Sequence, residues 1–441
     1  AQYCGMEKNW SQDTVLDVIL SQIKEDAKDK KVLLFLSGGV DSTVAFALLN
    51  KALGQERVLG LHIDNGFMRK EESKIIAERY KHFGFKNFIV EDASASFLQA
   101  VYKETDPQKK RHAIGEHFIT VRNQVVEAQK LDDSQWLLAQ GTLYPDIIES
   151  GGTKNSHTIK THHNRVEGIQ ALIAKGLIIE PLKDLYKDEV RMVGMKLGLS
   201  QELVMRHPFP GPGLSINVLC SNGVFTEDEE LAKAKEELGK LDLDHFVPQI
   251  ASLAAQEGKK AFTTSVLPVK SVGVQGDFRT YRFPAVLHFN APEYVPEAFD
   301  GNGNMWKQLE EVSSYITNTL DSVNRTVVCF SEKEGCKLQE GYCEKNRLDQ
   351  TREVDAIVLD ELKKSGWYKK IFQHLTINLP YATQSNHCSI VLRPVVSEDV
   401  MTARFAHLHH FLLEQILNRI GKLDFVDALY YDITNATFGW E

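Results

Sequence analysis

Over roughly its first 200 residues the chain alternates between short, unbroken apolar runs and longer stretches in which apolar residues recur every three or four positions. Val32-Leu33-Leu34-Phe35-Leu36 is one of the runs, and its length and composition read as a strand buried on both faces. Behind it, Val44, Ala47, Leu48 and Leu49 fall at helical spacing. The same reading predicts helices over 14–28, 41–53, 71–83 and 107–130, and strands over 32–36, 58–63, 87–90 and 136–139. A β-α-β-α rhythm of this kind implies an α/β fold: a parallel, twisted sheet with helices on both faces.

Ligands of such sheets bind beyond the carboxyl ends of the strands. Three strands end there in polar loops: residues 37–43, Asp64-Asn65-Gly66 and Gln140-Gly141-Thr142. The periodicity stops over 149–165, where Gly151, Gly152, Asn155, Ser156 and Asn164 surround Lys154, Lys160, His162 and His163, and a loop this long reads as a lid. Arg206-His207-Pro208-Phe209-Pro210-Gly211-Pro212-Gly213 stops any helix and marks a domain boundary. Beyond it a β-β-α-β pattern occurs twice, over 265–269, 281–288, 305–320 and 326–330, and again over 377–379, 389–395, 405–420 and 427–432. The expected organisation is therefore a nucleotide domain at 1–205 with its lid at 149–165, then two smaller α+β subdomains at 206–335 and 336–441. A charged, mobile linker is expected over 331–352, and packing of the two repeats on each other within one chain favours a monomer.

Composition narrows the setting. The 441 residues are 43% hydrophobic and 25% charged, ordinary for a globular enzyme. A net charge of −9 argues against general nucleic-acid binding. No apolar stretch approaches the roughly 18 residues of a membrane span, and no signal peptide is evident. The six cysteines (Cys4, Cys220, Cys329, Cys336, Cys343, Cys388) lack C-x-x-C spacing, which disfavours a zinc ribbon or a disulfide framework and fits the cytoplasm. A chain that opens on Ala1 reads as a trimmed piece of a longer one.

The candidate chemistry centres on Ser37, Gly38, Gly39, Val40, Asp41, Ser42 and Thr43. The glycines permit a tight turn and a close approach to a ligand. The helix that follows aims its free N–H groups and positive dipole end at the loop, which suits a phosphate. Asp41 fits a Mg²⁺ ligand and equally a helix cap. Asp146 and Glu149 would share one face of a helical turn, either as Mg²⁺ or carbonyl-orienting groups or as charges complementing the helix dipole. His162 and His163 are adjacent, so their rings diverge, which disfavours zinc. Lys160 would neutralise phosphate charge as the lid closes. Lys183 would touch phosphate or start a solvated helix, and Arg111 closes a basic run that begins at Lys109.

The 37–43 loop resembles that of the PP-loop, or N-type, ATP pyrophosphatases and lacks the Lys-Ser/Thr ending of a Walker A loop. Five further stretches resemble GMP synthetases: His62-Ile63-Asp64-Asn65-Gly66-Phe67-Met68-Arg69, Gln140-Gly141-Thr142-Leu143-Tyr144-Pro145-Asp146, Ile159-Lys160-Thr161-His162-His163-Asn164, Pro181-Leu182-Lys183-Asp184-Leu185-Tyr186-Lys187, and Ser271-Val272-Gly273-Val274-Gln275-Gly276-Asp277-Phe278-Arg279. The proline-glycine segment is similar too, and the duplicated C-terminal region looks like the larger, animal-type form. The resemblance implies an adenine nucleotide alpha hydrolase-like fold with ATP and Mg²⁺ as cofactors. It implies adenylation of XMP at O2 with release of pyrophosphate, then displacement of AMP by ammonia to give GMP. It implies catalytic roles for Asp41, Asp146, Glu149, Lys160, His162, His163 and Lys183, and XMP contacts from Arg111, Asp277, Arg279 and His387. The family's glutamine amidotransferase domain, the ammonia source, would act in cis from a segment missing here or in trans, and Cys4 stands where the family's linker follows that domain.

The C-terminus departs from the pattern. The family ends in Lys-Pro-Pro, two or three small residues and Glu-Trp-Glu, whose Lys and first Glu contact XMP. Here Asp432-Ile433-Thr434-Asn435-Ala436-Thr437-Phe438-Gly439-Trp440-Glu441 lacks the Lys and the prolines and has Gly439 in place of that Glu. His387 stands where a Gln is expected before Arg393-Pro394. Alongside GMP synthesis, an altered acceptor and a non-catalytic relative that binds ATP or a protein partner are thus both open.

Overall fold

The computed structural model describes residues 12–129, 135–143, 177–224, 229–275, 278–290, 304–397, 403–435 and 439–441. They form two units, Ala1–Phe97 with Gly115–Gly211, and Leu98–Ile114 with Pro212–Glu441. The expected break at 205/206 falls six residues early, and a single N-terminal block does not hold, because 98–114 belongs to the second unit.

In the first unit the apolar runs become β1 (Lys31–Phe35), β2 (Val58–Asp64), β3 (Phe88–Asp92), β4 (Trp136–Ala139) and β5 (Ile178–Ile179). They form one parallel sheet in the order β3-β2-β1-β4-β5. The unit's helices are α1 (Gln12–Ala27), α2 (Val40–Leu53), α3 (Glu72–His82), α6 (Lys187–Lys196) and α7 (Gln201–Val204), while α4 (Ser94–Ala100) and α5 (Pro107–Ala128) are divided between the two units. Elements predicted from periodicity recur within one or two residues of their observed ends. The strand-like run 177–181 contains β5, whereas the short α4 and α7 were not predicted as elements.

The chain builds outward from β1 to β3, then returns to the other side of β1 with β4. The order therefore reverses between β1 and β4, and that reversal opens a ligand crevice beyond their carboxyl ends. Helix α2 follows β1 and is apolar nearly all round, from Val40 through Leu49, because it is buried between the sheet and other helices. Each of Val44, Phe46, Leu48 and Leu49 is fully buried, contributing about 1.5–3 kcal/mol relative to an exposed side chain. Helix α6 lies so near α2 that a Cβ on Gly194 would sit 2.9 Å from Val44 Cγ2. That closeness brings the α6 N-terminus to the crevice.

The second unit carries β6 (Ser221–Asn222), β7 (Phe262–Val266), β8 (Ser271–Gln275), β9 (Phe278–Phe289), β10 (Val323–Glu332), β11 (Lys337–Leu338), β12 (Glu340–Gly341), β13 (Gln373–Leu379), β14 (Tyr381–Ala382), β15 (Cys388–Val396), β16 (Arg404–Phe405) and β17 (Val426–Asp432). Its main helices are α8 (Glu229–Gly239), α9 (Pro248–Ala255), α10 (Asn304–Thr319), α11 (Lys345–Lys364) and α12 (His410–Ile420). The internal repeat is present: β7-β9-α10-β10 has the same order and pairing as β13-β15-α12-β17. The two copies are not separate subdomains, however. β10 pairs antiparallel with β17, so both repeats share one sheet in the order β13-β15-β17-β10-β9-β7, and a boundary at 335/336 has no counterpart. Residues 331–352 likewise form no linker, being the end of β10, then β11, β12 and the start of α11.

Alternation along these strands sends neighbours to opposite faces. Leu287, Val328, Ile390 and Tyr431 face the core covered by the helices, while Val286, Val327, Val391 and Tyr430 face a second core with Trp440. Among the described residues no helix is long and apolar enough to cross a membrane.

Candidate functional site

The strand-to-helix turn after β1 is held by its own side chains. Ser37 Oγ accepts the Gly39 N–H at 3.2 Å and lies 3.0 Å from Ser42 Oγ. Ser42 and Thr43 hydroxyls both donate to the Gly39 carbonyl, at 3.2 and 2.8 Å. Thr43 Oγ1 also meets the buried Tyr80 hydroxyl at 3.0 Å. Burial pushes that phenol up to about 12, so it stays protonated and donates. The two buried hydroxyls thus shape the loop. The first bond of α2 joins Thr43 N–H to Gly39 O at 3.1 Å, so the backbone N–H groups of Val40, Asp41 and Ser42 precede the helical ladder and are left for a ligand.

Gly38 sits at φ +75, and a Cβ there would stand 2.2 Å from Ile76 Cδ1. Its carbonyl accepts from Arg206 Nη1 at 2.6 Å, and Arg206 is itself paired with buried Glu72. On the preceding residue, the Leu36 carbonyl meets His62 Nδ1 at 2.6 Å, and His62 Nε2 meets Ser73 Oγ at 2.9 Å. Burial lowers the His62 pKa, so the ring is neutral: Nδ1–H donates to Leu36 and Nε2 accepts from Ser73. Gly38→Ala is expected to cost about 1–3 kcal/mol of stability and to raise KM for ATP, read by thermal unfolding and steady-state kinetics. Unchanged values for both would mean that the left-handed turn does not shape the cradle.

Asp41 opens the first turn of α2 and is 30% exposed. Lys187 Nζ donates to both of its carboxylate oxygens, at 2.7 and 2.6 Å. A pair this exposed is worth only about 0–1 kcal/mol, so a polyphosphate can draw Lys187 away at little cost. The loop after β4 passes close by, with a Cβ on Gly141 falling 3.5 Å from the Asp41 carbonyl carbon. Lys187 is the cation that the sequence reading missed in favour of Lys183. Lys183 lies exposed on the turn before α6, with its backbone N–H bonded to Glu180 O at 3.3 Å. A lysine as first residue of a helix opposes the helix dipole, and that misplaced charge was the available signal. In the β2 loop, Asp64 and Asn65 accept the N–H groups of Gly66 and Phe67, each at 2.9 Å, and so shape their turn.

Asp146, Glu149, Lys160, His162, His163 and the whole 149–165 lid lie outside the described residues, as does Asp277. Arg279 belongs to β9, where its backbone pairs with Val274.

In the second unit Arg111 is half-buried, and its Nη1 is buried with no hydrogen-bond partner. Its neighbour Lys110 is 1% exposed, donates to Val218 O at 2.9 Å and forms a buried ion pair with Glu441. Burial opposes the Lys110 charge, but the Glu441 carboxylate together with nearby Cys220 and Cys343 raises the pKa. His387 lies 2.9 Å from Asp427 Oδ1 and 2.5 Å from Gln384 Nε2. Trp440 is fully buried and donates to Asp432 Oδ2 at 2.7 Å. A Cβ on Gly439 would meet nothing within 4 Å.

Residues 12–123 match the family described as NAD synthase, and residues 360–439 match the GMP synthase C terminal domain. A probable glutamine-hydrolyzing GMP synthase from Leptospira interrogans is 40% identical over 450 residues, covering 100% of this chain and 69% of the relative. The glutamine-hydrolyzing GMP synthase of Dictyostelium discoideum is 33% identical over 99% of this chain and 66% of its own length. That of Fusobacterium nucleatum is 42% identical over 74% of this chain and 61% of its own. The chain thus spans about two thirds of the length of these curated relatives.

Proposed function

Given that the chain belongs to the GMP synthase family, we propose that residues 37–43 and Lys187 hold ATP for the ATP-dependent amination that makes GMP. In the first step the XMP O2 attacks the α phosphorus of ATP and pyrophosphate leaves. In the second, ammonia attacks C2, AMP departs with the former O2, and the nitrogen sheds its extra protons to give the amine. Joining two anions needs positive charge and aligned donors more than it needs acid or base groups.

This chain supplies such groups. The N–H groups of Val40, Asp41 and Ser42, at the positive end of α2, face the charge that builds on departing pyrophosphate. Lys187 leaves Asp41 for the phosphates. Asp41, partly exposed and paired among the described residues with Lys187, would then hold a magnesium ion together with phosphate oxygens. When bound, the ion neutralises phosphate charge and orients the triphosphate. The observation that carries the reading is this cradle at the β1/β4 reversal, facing a carboxylate and a releasable lysine.

Arg111, with an open buried donor, suits the XMP phosphate, where a guanidinium pairs two oxygens at once. Asp277 and Arg279 are the further candidates, and Asp146, Glu149, Lys160, His162, His163 and Lys183 remain the proposed remainder of the ATP machinery. Ammonia would come from a glutamine amidotransferase domain in cis or in trans, in the cytoplasm.

The test is direct. The chain is mixed with ATP, Mg²⁺, XMP and an ammonium salt, and nucleotides are separated by chromatography. AMP and GMP are expected to rise together and only when all components are present. AMP formed without XMP would contradict the assignment, and bound ATP with no AMP would favour a non-catalytic relative. The open space at Gly439 gives a second check. Gly439→Glu is expected to lower KM for XMP about tenfold or more, the worth of one charge-assisted contact. An unchanged or higher KM would show that this position does not face the acceptor.

A further inference from the structure

At the end of the central strands of the second unit, three side chains with metal-binding atoms converge. His288, Cys329 and Glu332 each offer one such atom, and all three atoms lie within 4.8 Å of one another. Glu332 Oε2 is 4.0 Å from His288 Nε2 and 3.9 Å from Cys329 Sγ.

The placement depends on a defect in β10. Residues 329 and 332 are an odd number apart, so on a regular strand they would face opposite sides of the sheet. The register of β10 against β17 shifts between Cys329 and Ser331, leaving Phe330 as an extra residue. That bulge turns Glu332 onto the face that carries Cys329. His288 is on this face too, since it stands two residues beyond Val286 of the same core. On the neighbouring strand, Tyr430 O–H donates to Glu332 Oε2 at 3.0 Å, and Tyr381 O–H donates to Oε1 at 3.2 Å. Such outer bonds fix a ligating carboxylate. Among the described residues no Lys or Arg pairs with Glu332, so its charge is met only by neutral donors.

We propose that His288, Cys329 and Glu332 form a binding site for a borderline-soft divalent cation of the zinc class. Imidazole, thiolate and carboxylate are the ligand types that zinc accepts, at about 2.0–2.3 Å. Tetrahedral ligands at those lengths stand roughly 3.5 Å apart, so Glu332 closes on each partner by about half an ångström, and His288 and Cys329, within 4.8 Å, close by up to about 1.3 Å. The fourth position falls to water or to Cys336, on the turn after β10, which is near enough to feel the charges of Cys329 and Glu332. The Ser265 hydroxyl lies 2.9 Å from His288 Nε2, a contact that the metal would replace. Without a cation, burial keeps the His288 ring neutral and pushes the Cys329 thiol up to about 12. Binding therefore releases one proton, from Cys329, and the dication is balanced by one thiolate and one carboxylate.

The test uses the full chain, freed of metal and titrated with Co²⁺. A thiolate-to-cobalt charge-transfer band is expected in the near ultraviolet, bleached by one equivalent of Zn²⁺. Cys329→Ser, checked for its fold by circular dichroism, loses the band. Glu332→Gln keeps the band but weakens cobalt binding at least about tenfold, as loss of an outer or inner ligand does. No band in the parent chain, or an undiminished band in Cys329→Ser, overturns the site. Should Cys329→Ser fail to fold, Glu332→Gln decides: affinity equal to the parent's rejects the proposal.

Discussion

Asp41→Ala is expected to lower the rate of GMP formation by about a hundred- to a thousandfold, the usual cost of removing one element of a charge-stabilising site. The loss falls on turnover because the residue acts on phosphates whose charge grows as pyrophosphate departs. Asp41 adds little to the fold: it is partly exposed, it caps nothing by a side-chain bond, and among the described residues its ion pair is the weak one with Lys187. The thermal midpoint should therefore barely move. Asp41→Asn separates a metal role from a shape role, since it keeps the size and loses the charge. That variant should require far more Mg²⁺ to reach its reduced rate. Full turnover in Asp41→Ala, or an unaltered Mg²⁺ dependence in Asp41→Asn, would remove Asp41 from the site.

The second large effect is on stability. Asp432 is fully buried and gathers four donors: Arg325 Nη1 and Arg393 Nη1 at 2.9 Å, Trp440 Nε1 at 2.7 Å, and the Thr434 N–H at 2.9 Å. Both guanidiniums are themselves fully buried, and burial together with the neighbouring Arg393 charge brings Arg325 down to about 9. Asp432→Ala leaves two cations buried without their shared counter-ion, at a cost of about 3–5 kcal/mol. Against a typical total of about 5–15 kcal/mol, the denaturant midpoint should fall sharply. A loss under about 1 kcal/mol would show that the arginines find other partners. Because Arg325 and Arg393 reach Asp432 from β10 and β15, this cluster ties the two repeats together through their shared sheet.

Much of the first unit was legible because its signals are local. An unbroken apolar run followed by Ser37-Gly38-Gly39 specifies a buried strand and its turn without reference to anything distant. What stayed hidden depends on contacts far apart in sequence. Arg206 reaches Gly38 across 168 residues, and Lys187 reaches Asp41 across 146. No periodicity encodes such pairings. The bonds of the Ser42 and Thr43 hydroxyls to Gly39 were hidden as well, because they depend on the helix geometry itself. The repeat in the second unit was visible as β-β-α-β, yet nothing in either copy announces that β10 and β17 pair. The metal-type cluster was invisible for a similar reason. His288 and Cys329 lie on different strands, and only a bulge brings Glu332 round to join them.

The central claim is that this chain activates the XMP O2 by joining it to the α phosphorus of ATP. XMP labelled with heavy oxygen at O2 tests this most directly, with the AMP and pyrophosphate products read by mass spectrometry. The label should appear in AMP, one atom for each GMP formed, because C2 gives up that oxygen when ammonia enters. Unlabelled AMP, or label in pyrophosphate, would contradict it.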